Sequence, residues 1–169
     1  MTLEEYGNLI ENAFKIQNWN YSRNDNGDNS NFTINFLENG EYHTKCKVIV
    51  HDGGICDMEA YFPFKCSEGE LDVKGMKLSC YIAMCNYAQR YATLRYDYES
   101  GNIVNSYSFD IYPAMTPEFI LSKFNMVKNI DEDDYKYIKE LCEQQDDEET
   151  QETETLVATD KKNKYKIDL

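Results

Sequence analysis

The chain has 169 residues, and its 31 acidic against 17 basic side chains give a formal net charge of −14. Such a charge argues against duplex DNA or an anionic membrane surface as the main partner. Apolar residues make up 41% and aromatic residues 14% of the chain, so the composition excludes a wholly disordered protein and a fibrous repeat.

The first predicted element is an amphipathic helix over residues 3–17. Thr2 and Glu5 have the spacing of a capping box, and apolar side chains recur at helical intervals at Leu3, Tyr6, Ile10, Ala13 and Phe14. Residues 19–23 suit a short strand. The Asn- and Asp-rich residues 24–31 then predict a turn-rich loop.

A three-stranded antiparallel meander is predicted next. Apolar residues alternate with polar ones from Phe32 to Phe36, from Thr44 to Val50 and from Cys56 to Phe64. This period of two indicates strands with one buried face.

The two turns of the meander predict its register. Glu38-Asn39-Gly40 and Asp52-Gly53-Gly54 are each three residues long and end in glycine, as a type I turn with a glycine bulge requires. Such loops bring the apolar residues onto one face. The predicted pairs are Phe36 with Tyr42, Phe32 with Cys46, Val48 with Met58, Cys46 with Ala60 and Lys47 with Glu59.

The second half of the chain predicts helices around a hairpin. Apolar residues cover most of the circumference of a helix at about 76–91, which indicates deep burial. A hairpin across Ser100-Gly101, with a two- or four-residue loop, pairs Leu94, Tyr96 and Tyr98 with Tyr107, Asn105 and Ile103. Thr116-Pro117-Glu118 is a strong helix start.

The last helix leaves an alternative open. The acidic run Asp131 to Asp134 either lies on the wet face of one long helix or caps a second segment. The apolar pattern stops after Leu141. We therefore predict a single domain over residues 1–142 and a flexible tail over residues 143–169, first acidic and then basic. The predicted class is α+β, with two layers and the helices on one face of an antiparallel sheet.

This order of elements resembles the YbjN family, the putative bacterial sensory transduction regulators with a type III secretion chaperone-like fold. The similar features are the helix that holds Cys85-Asn86, the hairpin over residues 91–112 and the helix start at Thr116. The resemblance covers roughly residues 3–142. It implies a non-enzymatic regulatory or chaperone-like binding role, often in a dimer, and it supplies no catalytic residues.

The N-terminal region predicts a cytoplasmic protein. Its first residues carry acids where a signal peptide needs basic residues, and no run of about 18 apolar residues predicts a membrane span. In that compartment the six cysteines are expected to stay reduced.

We expect no metal, cofactor or catalytic residues. His43, Cys46, His51 and Cys56 are close in sequence, but the predicted register turns the cysteines toward the core and the histidines toward solvent, so the four cannot converge on zinc. The same opposition separates His51 from Cys56 as a base and nucleophile pair. Asp25-Asn26-Gly27-Asp28 is interpreted as an Asx-rich turn in preference to a weak calcium site.

One feature predicts a protein contact. The sheet face that should be wet also carries apolar side chains, which together form a candidate contact patch. Its members are Ile49, Ile55, Tyr61, Val104 and Tyr112. Cover of this face by residues 19–23 or by the tail is the alternative.

The sequence therefore favours a cytoplasmic regulatory or chaperone-like binding module that acts through a protein partner or a homodimer. The second hypothesis is an acidic neutralising protein of the immunity type, which would bind a basic toxin. Salt separates the two, because an electrostatic complex weakens with salt and an apolar contact tolerates it.

Overall fold

The computed structural model describes residues 1–35, 45–69, 72–88 and 92–144. In chain order these residues form α1 (Leu3–Ile16), β1 (Tyr21–Asp25), β2 (Asn29–Asn35), β3 (Lys45–His51), β4 (Ile55–Lys65), α2 (Val73–Ala88), β5 (Thr93–Asp97), β6 (Asn102–Asp110), α3 (Pro117–Lys128) and α4 (Glu132–Glu143). The strands make one antiparallel sheet in the order β1-β2-β3-β4-β6-β5. The predicted α+β class is confirmed.

The described helices all pack on one face of this sheet. Alternate residues of β2, β3 and β4 are buried there, among them Phe32, Val48 and Met58. Beneath α1 and α3 these side chains form one apolar cluster, while α2 and α4 close a second cluster over the other end of β4 and the β5–β6 hairpin. None of the described helices covers the opposite face of the sheet.

The predicted capping box at the start of α1 is confirmed. Thr2 Oγ1 accepts from the backbone N–H of Glu5, and the Glu5 carboxylate accepts from the backbone N–H of Thr2 at 2.7 Å. Two of the otherwise unpaired N–H groups at the helix start are thereby satisfied.

The prediction of a turn-rich loop over residues 24–31 is wrong. Most of these residues belong to the β1–β2 hairpin, in which Asp25 pairs with Ser30 and Asn24 with Asn31. Only a tight turn remains, where Gly27 has a φ of +83° and Asn26 Oδ1 accepts from the N–H of Asn29. The Asn and Asp residues therefore make a hairpin turn, as their short polar side chains favour.

The register of the meander is partly confirmed. Val48 lies opposite Met58, Cys46 opposite Ala60 and Lys47 opposite Glu59, as predicted. The pairing of Phe32 with Cys46 is wrong, because Phe32 lies opposite Val48. A shift of two residues preserves the buried face, so apolar alternation alone does not distinguish the two registers. The predicted pair Phe36 and Tyr42 and the turn at residues 38–40 lie outside the described residues.

The β3–β4 turn spans the predicted three residues but has a different backbone conformation. Both Gly53 and Gly54 have positive φ, at +95° and +88°. A type I turn with a glycine bulge needs a positive φ only at its last residue. The Gly53-Gly54 pair permits this second left-handed residue without steric cost.

The β5–β6 hairpin also differs from its prediction by two residues. Leu94 pairs with Asn105 and Tyr96 with Ile103, not with Tyr107 and Asn105. The loop is the four-residue alternative, because Asp97 and Asn102 are the last pair. The Asp97 carboxylate organises this loop by accepting from Ser100 Oγ and from the N–H of Glu99.

The last helical region is two helices. The carboxylate of Asp131 accepts from the N–H groups of Asp133 and Asp134 and begins α4. The alternative in which the acidic run caps a second segment is therefore confirmed. The predicted tail from residue 145 onward lies outside the described residues.

Helix α2 is not deeply buried, contrary to the prediction. Leu78, Ile82 and Cys85 on one face belong to the core, while Met84 is 69% and Tyr87 is 96% exposed on the other. A helix that is apolar all round is usually buried all round. In α2, only one of the two apolar faces meets the rest of the described structure.

Candidate functional site

The sheet face opposite the helices, here called the open face, carries polar and apolar side chains in cross-strand rows. One row joins Lys45, Tyr61, Val104 and Arg95, the next Lys47, Glu59 and Ser106, and the next Ile49, Asp57 and Ser108. These positions alternate with the buried ones along each strand. The rows place the predicted patch among charged neighbours.

Asp57 lies at the centre of a hydrogen-bonded group near one end of the open face. Its Oδ2 accepts from His51 Nε2 at 2.7 Å, and its Oδ1 accepts from Ser108 Oγ. Partial burial disfavours the ionised carboxylate, but the hydrogen bonds from Ser108 and His51 outweigh it and hold the pKa of Asp57 below its ordinary value.

The His51, Asp57 and Ser108 side chains do not make a hydrolytic triad. In such a triad the histidine lies between the serine and the carboxylate, so that it can take the serine proton. Here the carboxylate lies between the other two. Ser108 therefore donates to a weak base with a lowered pKa, which leaves it unactivated as a nucleophile.

A second group links Glu59, Arg95 and Tyr61. The Glu59 carboxylate accepts from Arg95 Nη2 at 2.6 Å and from the Tyr61 hydroxyl at 2.7 Å, and Lys47 Nζ lies 5.0 Å from the centre of the Tyr61 ring. Partial burial and the bond to Glu59 raise the pKa of Tyr61 above its ordinary range. The Tyr61 hydroxyl therefore stays neutral and donates its proton to Glu59. The two hydrogen bonds to Glu59 hold the side chains of Arg95 and Tyr61 in place.

The five residues of the predicted patch differ in what they present to solvent. Ile55 and Tyr112 are 47% and 50% exposed. Ile49 and Tyr61 are half-buried. Val104 is only 7% exposed, so its inclusion as a surface residue is wrong. It lies between Tyr61 and Arg95, whose long side chains shield it.

The patch is also less continuous than predicted. Ile49 lies opposite Asn31 on one side and Asp57 on the other. Ile55 lies opposite Asp110. The open face is therefore a polar surface on which the exposed apolar residues are separated by polar ones.

The cysteine and histidine predictions agree with the structure where it describes those residues. Cys46 and Cys56 are buried in the core, and His51 is partly exposed on the open face. His43 lies outside the described residues. Among residues 1–35, 45–69, 72–88 and 92–144, no group of three His, Cys, Asp or Glu side chains is placed to hold a metal ion.

The sequence reasoning missed the second apolar face of α2. Its members are Val73, Met76, Cys80, Ala83, Met84 and Tyr87, all exposed. The apolar positions of this helix could have signalled two faces, because they fall into two groups on opposite sides. The prediction buried both apolar faces of α2, but only one of them packs against other described residues.

The comparisons with known proteins do not assign the chain to a family. No family model and no curated protein matches the chain. None of the described helices combines the length and the apolar character needed to cross a bilayer.

Proposed function

We propose that the protein is a non-enzymatic regulatory or chaperone-like module that binds another protein through the open face. The observation that carries the proposal is a broad six-stranded sheet whose described helices all pack on one side. A sheet face without a helical layer usually carries mostly polar side chains, facing water. Here it also presents Ile55 and Ile49 and a tyrosine ring, Tyr61, held by Glu59 and Lys47.

The fixed charges on the open face favour a specific contact. Glu59 is bonded to both Arg95 and Tyr61, and Asp57 to both His51 and Ser108. Side chains already held in one rotamer lose less conformational entropy when a partner binds. The open face is thus preorganised, with Ile55 as an exposed apolar contact at one end, and the exposed Tyr112 follows the end of β6.

Resemblance to the YbjN family remains a prediction and is part of this proposal. The order of a helix, a meander, a helix, a hairpin and a further helical region supports it. A cytoplasmic location is likewise proposed. It rests on the six cysteines, which suit a reducing compartment.

The acidic neutralising alternative has less support. The most concentrated acids of the described residues are Asp131 to Asp134, and two of these carboxylates already serve the fold. Asp131 caps α4, and Asp134 accepts from the Tyr81 hydroxyl at 2.7 Å. Carboxylates with these local roles are poorly placed to complement a basic toxin.

Site-specific photo-crosslinking in the native cells tests the proposal. A photoreactive amino acid at position 55 on the open face is compared with one at position 125 on α3, where Asn125 is also exposed to solvent. We expect one protein to be captured from position 55 and not from position 125. Equal capture from both positions, or none from position 55, would contradict the proposal.

The salt dependence of the purified complex then separates the two hypotheses. A module that uses Ile55 and Tyr112 should keep its affinity as the salt concentration rises. An acidic neutralising protein should lose most of its affinity over the same range, because screening weakens attraction between surface charges.

A further inference from the structure

Two neighbouring rows of the open face carry more positive than negative charge. One row contains Lys45 and Arg95, and the next contains Lys47 and Glu59. Their other described members, among them Tyr61, are uncharged, and so are the β2 residues opposite the two lysines. These rows therefore hold three cations and one carboxylate, although the net charge of the chain is −14. The four charged residues are here called the basic end of the open face.

The single carboxylate of the basic end does not neutralise all three cations. Glu59 already accepts from Arg95 at 2.6 Å and from the Tyr61 hydroxyl at 2.7 Å. Neither Lys45 nor Lys47 forms an ion pair with a carboxylate of the described residues. The Lys47 ammonium lies over the Tyr61 ring instead. Within the described part of the chain, two ammonium groups of the basic end thus lack an anionic partner.

A segment of opposite charge follows directly after α4. Residues 145–154, here called the acidic segment, carry six acidic side chains and no basic one. Because the segment belongs to the same chain, its effective concentration near the sheet is on the order of millimolar. A contact that is too weak to form between separate molecules can therefore be well populated within one chain.

The end of α4 is close enough to the basic end for the acidic segment to reach it. Cys142, in the last turn of α4, packs against the apolar cluster that contains Cys66, the residue after β4. Tyr61 lies five residues back along β4, or roughly 17 Å, and the thickness of the sheet adds about 10 Å. Ten extended residues span up to about 33 Å. The second half of the acidic segment can therefore contact the basic end.

We propose that the acidic segment docks on the basic end of the open face of its own chain, where its carboxylates pair with Lys45 and Lys47. In this position it competes with the protein partner, and in this respect the inference rests on the proposed function. A contact of standard size covers about 800 Å² on each partner. Ile55 is six residues from Tyr61 along β4, or roughly 20 Å. A partner bound at Ile55 therefore also covers the basic end and displaces the acidic segment.

Carbodiimide coupling of the full chain tests the docking without any partner. The reagent joins a lysine side chain to a carboxylate in contact with it, and peptide mass spectrometry of the monomeric product identifies the pair. We expect Lys45 or Lys47 to be linked to the acidic segment at low ionic strength. At about 0.5 M salt the yield should fall by about threefold or more, because screening weakens the attraction. Lys15, exposed on α1, is the control and should give no link to the acidic segment.

Digestion with a glutamate-specific protease gives a second measure of the docking. Lys45→Glu should speed cleavage within the acidic segment by about threefold or more, because a docked segment is cleaved only when it is released. Lys45 lies opposite Asn35 and Tyr61, so the new carboxylate faces no acid across the strands. Lys15→Glu makes the same change in net charge and should leave the cleavage rate as in the parent.

Two results would overturn the docking. The first is the absence of any link from Lys45 or Lys47 to the acidic segment, together with equal cleavage of Lys45→Glu and the parent. The second is a set of links from Lys74 and Lys77 alone, since these would place the acidic segment beside α2. Neither result involves the partner, so the proposed function would stand. Links from Lys45 or Lys47 in a protein that captures nothing at position 55 would instead support the docking and refute the proposed function.

The competition is tested with the captured partner and a variant of the full chain. Glu149→Gln, Glu152→Gln and Glu154→Gln together remove three carboxylates from the acidic segment. This variant should bind the partner about threefold more tightly or better, because a smaller fraction of the open face is occupied. An unchanged or larger dissociation constant would overturn the competition.

Discussion

The side-chain amide of Asn86 is joined to the backbone of Leu94 by two hydrogen bonds. Asn86 Nδ2 donates to the Leu94 carbonyl and Asn86 Oδ1 accepts from the Leu94 N–H, both at 2.8 Å. Strand β5 is an edge of the sheet, and an edge strand presents unpaired backbone groups to which another strand can bind. The Asn86 amide therefore takes the place of a neighbouring strand at Leu94.

We predict that Asn86→Ala destabilises the protein by about 1–3 kcal/mol, because the Leu94 N–H and carbonyl lose both partners. Chemical denaturation of the parent and the variant measures this change in the free energy of unfolding. Asn125→Ala, on an exposed part of α3, is the control and should change little. Equal stability of Asn86→Ala and the parent would show that water replaces the amide at no cost.

Gly54 is predicted to be harder to replace than Gly27, although both lie in described turns and have positive φ. It has a φ of +88°, and an added Cβ would lie 2.7 Å from Cζ of the Tyr6 ring. Gly27 is the matched control, because its φ is +83° and nothing lies within 4 Å of an added Cβ. Gly27→Ala should cost about 1–2 kcal/mol for the left-handed backbone.

Gly54→Ala should cost at least about 1 kcal/mol more than Gly27→Ala, because the Tyr6 ring must also move. Thermal and chemical denaturation of the two variants measures the difference. Equal losses in the free energy of unfolding would mean that the Tyr6 ring moves away from the β3–β4 turn without cost.

Neighbouring residues of β3 test the assignment of the two sheet faces. Val48 is fully buried, whereas Ile49 is half-buried on the open face opposite Asp57. We predict that Val48→Lys unfolds the domain, since it forces a charge into the core. Ile49→Lys should keep the fold, with a melting temperature close to that of the parent. Thermal melts followed by circular dichroism measure the stability of both variants. Unfolding of Ile49→Lys would mean that the open face is covered at this position.

The ionised Asp57 carboxylate should make stability depend on pH. Because its pKa is lowered in the folded protein, its contribution is fully present above the unfolded pKa, near 4, and is lost as the pH falls through the folded pKa. We expect the free energy of unfolding of Asp57→Asn to fall less than that of the parent as the pH is lowered, because the variant has no carboxylate at this position. Ser108→Ala removes one of the two hydrogen bonds and should give an intermediate profile. If the free energy of unfolding fell in parallel for all three proteins between about pH 6 and pH 2, the ionised Asp57 carboxylate would have no stabilising role.

Local sequence signals predicted the elements whose partners are close in the chain. The Thr2 and Glu5 capping box, the Asp52-Gly53-Gly54 turn and the Thr116 helix start are short-range devices, and each lies where it was predicted. The buried faces of β2, β3 and β4 followed from their alternation. These features depend on residues a few positions apart.

Contacts between distant parts of the chain were less predictable. Apolar alternation accepts a shift of two residues, so the pairings of Phe32 and Leu94 were wrong while their faces were right. The burial of Val104 depends on Tyr61 and Arg95 from two other strands. The bond between Asn86 and Leu94 joins a helix to an edge strand, and no periodic pattern signals it.

The most direct test of the central claim is the dissociation constant of the protein captured from position 55, measured with the purified parent and with Ile55→Lys. Ile55 is 47% exposed, so the variant should melt at the same temperature as the parent. If the open face binds the partner, Ile55→Lys should weaken the complex by about tenfold or more, while Asn125→Lys leaves it unchanged. Equal dissociation constants for the parent and Ile55→Lys would contradict the account.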